Sequence, residues 1–140
     1  MSDTKFKILK IFQKELSFKT FDNIVEETEI KADIKLDVNA MALDENVYLS
    51  SLTINFKANS KDTNIFEINL TMCGIFANQD SEQLSEQELQ KAVQITFPTI
   101  IFPFARQIMS QTALNGGFPN LVLDIVDFET LQQQNNKTLN

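Results

Sequence analysis

The chain has 140 residues, of which 43% are hydrophobic and 22% charged, a composition that predicts one folded domain over residues 1–140 and excludes global disorder. Its net charge of −7 argues against general nucleic-acid binding, which needs Lys and Arg to replace the counterions around phosphates. No apolar run reaches the ~20 residues that span a bilayer, and no signal peptide follows Met1, so we expect a cytoplasmic protein that does not bind membranes.

Four segments alternate apolar and polar residues, the pattern of half-buried strands: residues 5–19, 34–42, 47–59 and 65–76. In the first, one face is expected to carry Phe6, Ile8, Phe12, Leu16 and Phe18. Residues 44–46 and 60–64 supply turns, and short turns between the last three strands favour an antiparallel sheet. Residues 20–33 lose the alternation and predict a long loop, a kind of segment that is often functional.

Beyond residue 77 the apolar period changes to that of an amphipathic helix. Ser85 and Glu88 are spaced as a capping box, and residues 116–117 form a Gly-Gly end signal. Pro98 and Pro103 lie inside this stretch and predict a break near residue 97 or a marked kink, hence two helical pieces.

The end of the chain predicts a second, shorter helix. Asp127 is a candidate N-cap for a helix that reaches about Gln134, and residues 135–140 are expected to be a frayed tail. The predicted fold class is α+β, with a four-stranded antiparallel sheet packed against a long, proline-interrupted helix and a short C-terminal helix.

The usual catalytic residue types are scarce. The chain has no histidine, its single Cys73 cannot form a thiol–imidazole pair and is expected to be a small buried residue, and its three glycines form no phosphate-binding loop. The carboxylate clusters at 26–29, 44–45 and 124–127 lie among polar loop or cap residues, which do not favour a role in acid–base catalysis. We therefore predict that the protein is not an enzyme and holds no metal or cofactor.

Several motifs together resemble one family: residues 97–106 (FPTIIFPFAR), 117–123 (GFPNLVL), 126–128 (VDF), 11–18 (IFQKELSF), 34–38 (IKLDV) and 73–76 (CGIF). They are similar to the SecB export-chaperone family over about residues 5–134. The resemblance implies an ATP-independent holdase that binds unfolded preproteins and delivers them to the export machinery. It also implies a homotetramer built as a dimer of dimers, and contact with the motor SecA.

The expected client groove combines loop, second-strand and terminal-helix residues: Phe21, Ile24, Val25, Ile30, Ile34, Leu36, Val38, Phe128 and Leu131. An apolar groove binds many sequences because burial stabilises whatever the order of side chains. For each of these residues, packing in the protein's own core is the competing interpretation.

The resemblance also implies two further surfaces. The SecA-type positions fall on Glu15, Lys19, Glu67 and Asn69, of which only Glu15 keeps the family's chemistry, so weak or altered SecA binding is expected. Contacts between dimers are expected at Ile68, Leu70 and Met72. Two alternatives stay open, namely a SecB-like chaperone dedicated to one client such as an antitoxin, and a small apolar-ligand carrier.

Overall fold

A four-stranded antiparallel sheet forms one layer of the protein. The computed structural model describes residues 5–21, 30–60, 63–80, 82–118, 123–124 and 126–131. The strands are β1 (Phe6–Thr20), β2 (Lys31–Asp44), β3 (Val47–Ser60) and β4 (Thr63–Asn78). They lie in the order β1-β4-β3-β2, so that β1 and β2 are the edge strands. The predicted antiparallel sheet is confirmed, and β2 begins three residues before its predicted start.

Alternation in the two central strands sends one parity of side chains into the core. On β4 these are Phe66, Ile68, Leu70 and Met72, and on β3 they are Leu52, Ile54, Phe56 and Ala58. The register places Leu70 opposite Ile54 and Met72 opposite Leu52, so that large apolar side chains adjoin across the strands. Such cross-strand pairs are the unit by which a sheet is stabilised.

The edge strand β1 contains two irregularities that change its parity. Its register with β4 shifts between Ile8 and Lys10 and again between Gln13 and Glu15. An extra residue in one strand moves the following side chains to the opposite face. Phe12 therefore shares a face with Cys73, on the side away from the core, and its predicted grouping with Phe6 is wrong.

The turn between β2 and β3 follows its predicted chemistry. Asn46 adopts φ 62°, a left-handed conformation that Asn tolerates better than most residues. The Asp44 carboxylate accepts a hydrogen bond from the Glu45 backbone N–H at 2.7 Å. This turn fixes the register between the two strands.

The helical layer runs from α1 (Glu86–Lys91) through a π-helical stretch (Ala92–Thr96) into α2 (Phe97–Asn115). The predicted interruption near residue 97 is the π-helical stretch that ends at Thr96, but the chain does not leave the helical conformation there, because the residues at the junctions keep right-handed helical dihedrals. Pro98 lies in the first turn of α2, while Pro103 lies inside it. The π-helical stretch changes the hydrogen-bond spacing immediately before Pro98, and the Thr99 hydroxyl donates to the Ile95 carbonyl at 2.5 Å.

The helical layer is held to the sheet by a cluster of aromatic rings around Phe97. Its ring stacks on Phe76 with centroids 4.3 Å apart and meets Phe6 edge-on at 4.9 Å. The Tyr48 ring lies 6.2 Å away on β3. Phe97 is fully buried, and offset or edge-to-face pairs of this kind add about 0.5–1.5 kcal/mol each beyond burial.

The end of α2 approaches β1 so closely that a side chain is excluded. A Cβ added to Gly116 would lie 2.1 Å from the Phe18 ring. Gly117 then takes φ +93°, and the Phe118 N–H donates to the Ala113 carbonyl at 2.8 Å, which closes the helix. The predicted Gly-Gly end signal is confirmed.

The chain returns to the core after α2. Phe118 stacks on Phe66 at 4.3 Å, and Phe128 meets Phe102 edge-on at 5.9 Å. Asp127 caps a helical turn over residues 128–131, because its carboxylate accepts from the Glu129 N–H at 3.1 Å. The predicted N-cap is confirmed, whereas the predicted extension to Gln134 and the tail 135–140 lie outside the described residues.

The beginning of β1 is tied to α1 by an ion pair. Lys5 Nζ lies 2.5 Å from Glu88 Oε2 and 3.6 Å from Asp80 Oδ2. The Glu88 carboxylate also accepts from the Ser85 N–H, and the Ser85 hydroxyl accepts from the Glu88 N–H, which completes the predicted capping box. The hydrogen bond from Lys5, followed by those of Ser85, lowers the pKa of Glu88 to about 2.

This ion pair predicts a specific dependence of stability on pH. A carboxyl group whose pKa is lowered by folding stabilises the protein above its unfolded pKa, and that contribution is lost as pH falls. The window for Glu88 runs from about pH 5 down to its folded pKa of about 2. We expect Glu88→Gln to be less stable at pH 7 and to lose less stability between pH 5 and pH 3 than wild type.

Urea unfolding followed by circular dichroism at pH 7, 5, 4 and 3 measures this difference. Glu86→Gln is the matched control, since it removes a carboxylate from the same turn and keeps both the Lys5 ion pair and the capping box. Parallel pH profiles for wild type and Glu88→Gln would contradict the assignment.

Candidate functional site

The sheet has two chemically different faces. The helical layer packs on the face that carries the core residues of β3 and β4, here called the helix face. The opposite face, here called the open face, carries the other parity, including Glu67, Asn69 and Thr71 of β4. The predicted site residues divide between these two faces.

Three predicted client residues of β2 lie in a row on the helix face. Ile34, Leu36 and Val38 are opposite Phe56, Ile54 and Leu52 of β3, respectively. The row is graded, because Leu36 and Val38 pack partly against the core while Ile34 is 48% exposed. Since β2 is an edge strand, this apolar row lies beside a backbone edge that the sheet itself does not pair.

Two predicted client residues lie next to strand ends, Ile30 before β2 and Phe21 after β1 at the opposite edge of the sheet, so only Ile30 adjoins the β2 row. Ile30, just before β2, is 40% exposed. Phe21 is half-buried, its N–H donates to the Ile65 carbonyl at 2.9 Å, and Lys19 Nζ lies 4.8 Å above its ring. Ile24 and Val25, also predicted to contact clients, lie outside the described residues.

The terminal-helix residues are less available than the sequence predicted. Phe128 is 1% exposed and contacts Phe102 of α2, so it belongs to the core rather than to a binding surface. That prediction is wrong because Phe118 and Phe128 both return their aromatic side chains to the core. Leu131 is half-buried and packs at the border of the core.

All four predicted partner residues lie together on the open face of β1 and β4. Lys19 is directly opposite Glu67, Ser17 is opposite Asn69, and Glu15 is opposite Thr71. Glu15 and Lys19 are exposed at the sheet edge. The predicted positions therefore form one continuous surface, with a basic and an acidic side chain adjacent at one end.

An amide network occupies the centre of this surface. Glu67 Oε1 accepts from the Asn55 and Asn69 side-chain amides, each at 3.4 Å. Asn55 also donates to Asn69, and Asn69 donates to the Ser17 hydroxyl at 3.4 Å. Hydrogen bonds within the sheet thus hold Glu67 and Asn69 in place before any partner arrives.

The residues predicted to join the dimers lie on the helix face of the sheet and not, as expected, on an exposed face of β4. Ile68, Leu70 and Met72 are buried on the helix face, beneath the chain's own helical layer. The exposed face of β4 is the one that carries Glu67, Asn69 and Thr71. These three apolar residues are therefore core residues of a single chain and are not available to a second copy.

Among the described residues, no group of three or more His, Cys, Asp or Glu side chains is placed to hold a metal ion. Hydrogen bonds from Thr130 lower the pKa of Asp127, which is explained by its role as a helix cap. Within the same described ranges, no helix is long and apolar enough to cross a membrane.

One protein family matches nearly the whole chain. Its description is preprotein translocase subunit SecB, and the match covers residues 1–138. The chain belongs to the SecB family.

Curated SecB-family relatives match over most of their length. The protein-export protein SecB of Wolbachia pipientis subsp. Culex pipiens (strain wPip) is 34% identical, over 96% of this chain and 91% of the relative. The protein-export protein SecB of Rhodopseudomonas palustris (strain BisB5) is 33% identical, over 94% of this chain and 84% of the relative. The solved Mycobacterium tuberculosis SecB-like chaperone, in complex with a ChAD peptide from the HigA1 antitoxin, has the same fold, with a TM-score of 0.77. It shares 13% identity, over 88% of this chain and 92% of that chain.

Sequence reasoning missed one part of this SecB-family chain, the apolar end of the open face. Met41 of β2, Leu49 of β3 and Ile75 of β4 adjoin there, and Phe12 lies nearby on β1. The odd-numbered apolar residues 41, 49 and 75 interrupt an otherwise polar parity, which was the available signal. The bulges that bring Phe12 to this face left no such signal.

Proposed function

We propose that this SecB-family protein is an ATP-independent holdase that binds unfolded precursor polypeptides in the cytoplasm and delivers them for export. The observation that carries the proposal is the graded apolar row of β2, beside exposed Ile30 and a backbone edge with which no other described strand pairs. An extended segment gains affinity from backbone pairing there and from burial of its own apolar side chains, without a sequence requirement. Binding of this kind needs no catalytic group.

A chaperone dedicated to one antitoxin is a second candidate. It is favoured by the similarity in fold to the M. tuberculosis SecB-like chaperone whose structure contains an antitoxin peptide. The relatives of higher sequence identity are protein-export proteins, which supports export as the first candidate. A carrier of small apolar ligands is less favoured, because the buried rings of Phe76 and Phe97 pack on each other at 4.3 Å and leave no space for a ligand between them.

We propose that assembly into a dimer of dimers uses the long helix, which the family resemblance places at subunit contacts, and not the predicted residues of β4. Phe104 of α2 is 45% exposed, and half-buried Ile100 and Ile108 lie one turn before and after it. We propose that this helix stripe, rather than Leu70, joins copies of the chain. An exposed stripe of large apolar residues is a typical interface between protein copies.

The client surface predicts a selective loss of holdase activity. Ile30→Ser combined with Ile34→Ser should keep the fold, because both side chains are partly exposed and lie outside the core cluster, and should weaken binding of an unfolded client about tenfold. The measurement is suppression of aggregation of a chemically unfolded precursor. Met41→Ser is the matched control, an exposed apolar residue of the same strand on the open face, and should retain activity. Equal losses in both variants would contradict the assignment.

The helix stripe predicts the state of association. Light scattering at micromolar protein should give a tetramer for wild type and folded dimers for Phe104→Lys, since a charge placed in an apolar interface costs several kcal/mol. Leu70→Lys should instead lose the far-ultraviolet circular dichroism of the fold, because Leu70 lies in the core. A wild-type mass near 16.0 kDa would contradict the proposed tetramer.

The open face predicts weak, salt-sensitive binding to the basic tail of SecA. Lys19 repels a basic partner, and Glu67 is already hydrogen-bonded by two amides. Calorimetry with the host's SecA tail should therefore give higher affinity for Lys19→Glu than for wild type, and lower affinity for Glu15→Gln. If the wild type bound with sub-micromolar affinity and Glu15→Gln lost this affinity, the SecA-type site of the family would be intact. That result would contradict weak binding.

A further inference from the structure

The apolar end of the open face is a surface distinct from the client groove. Met41, Leu49 and Ile75 lie side by side across β2, β3 and β4. Val47 and Ala77 form the next row toward the β2–β3 turn, and Phe12 lies in the row on the other side. We call these six residues the open-face patch.

The open-face patch remains accessible in the folded chain. Met41 is 59% exposed, and Leu49, Val47 and Ile75 are each partly exposed. The helical layer packs on the other face of the sheet, so the chain's own described helices do not cover the patch. Contiguous apolar surface of this kind on a soluble protein is typical of an interaction site.

Lysines border the patch along β1. Lys10 is opposite Ile75, and Lys7 is opposite Ala77. Lys10 Nζ also lies 5.1 Å from the centre of the Phe12 ring, which positions the ammonium group at the border of the apolar surface. The border is basic although the whole chain has a net charge of −7.

The charge on the other border has the opposite sign. Asp44 and Glu45 lie at the β2–β3 turn, beyond Val47. The patch is therefore apolar in the middle, basic along β1 and acidic at the turn. An occupant with acidic groups is attracted to only one side of it, which sets the direction in which it lies.

The width of the patch fits a helix. Neighbouring strands lie about 4.8 Å apart, so Met41 on β2 and Lys10 on β1 are separated by roughly 14 Å. An α-helix with its side chains is about 10–12 Å wide. A helix seated on Leu49 and Ile75 thus places one flank over Lys7 and Lys10.

We propose that the open-face patch binds an amphipathic helix of a partner protein that has one apolar face and Asp or Glu along one flank. This interaction goes beyond the holdase activity, because it uses the opposite face of the sheet and folded rather than unfolded polypeptide. Its electrostatic preference is also the reverse of that expected for the acidic positions that engage a basic SecA tail.

A pair of synthetic peptides tests the proposal. One 18-residue helical peptide carries Leu on one face and Glu along one flank, and the other carries Lys in place of Glu. Fluorescence anisotropy at two salt concentrations should give at least tenfold tighter binding of the Glu peptide, although the protein is itself acidic. Lys7→Glu combined with Lys10→Glu should reverse this preference, and Lys7→Gln with Lys10→Gln should abolish it.

Three further measurements separate this surface from others. Met41→Ser should weaken binding of the Glu peptide severalfold, whereas Ile30→Ser with Ile34→Ser should leave the affinity for this peptide unchanged. If binding of the Glu peptide were lost only in the Ile30→Ser, Ile34→Ser variant, the peptide would lie in the client groove and the proposal would be overturned. Dissociation of the oligomer by Met41→Ser would show that the patch is a contact between copies of the chain. Preferential binding of anionic vesicles would show that the patch is a membrane surface. Either result would also overturn the proposal.

Discussion

The contact between Phe97 and the aromatic rings of the sheet determines which face of the sheet is covered. Phe97 is the first residue of α2, directly after the π-helical stretch, and its ring joins Phe6, Phe76 and Tyr48 from three different strands. Anchoring the helix at this point directs the rest of α2 across β4 and β3. Every surface of the protein is then defined by its position relative to that covered face.

The two faces of the sheet have separate binding properties as a result. On the helix face, the apolar row of β2 passes gradually from core to solvent, so the same strand contributes to stability at Leu36 and remains accessible at Ile34. On the open face, amide and hydroxyl groups around Asn55 and Asn69 are joined to each other. A groove with a free backbone edge suits variable extended chains, whereas a preorganised polar surface suits a partner of fixed structure.

Sequence patterns predicted the elements well and the faces less well. Regular alternation identified all four strands, and local capping chemistry located Ser85 and Asp127, because each depends on residues near in sequence. Leu70 is buried because the helical layer packs on its face of the sheet. Alternation alone does not specify which face the helices cover. The orientation of Phe12 depends on two β1 bulges, and a bulge reverses parity without a distinctive residue.

The order of strands has a consequence for how the chain is made. β4, the last of the described strands in sequence, pairs with both β3 and β1, so the first strand has no partner in the sheet until residues of β4 are present. The meander of β2, β3 and β4 forms from contacts near in sequence, whereas docking β1 closes a long loop. During synthesis, the amphipathic strand β1 therefore stays unpaired until β4 has been made. For that time the nascent chain resembles the unfolded precursors that we propose the folded protein binds.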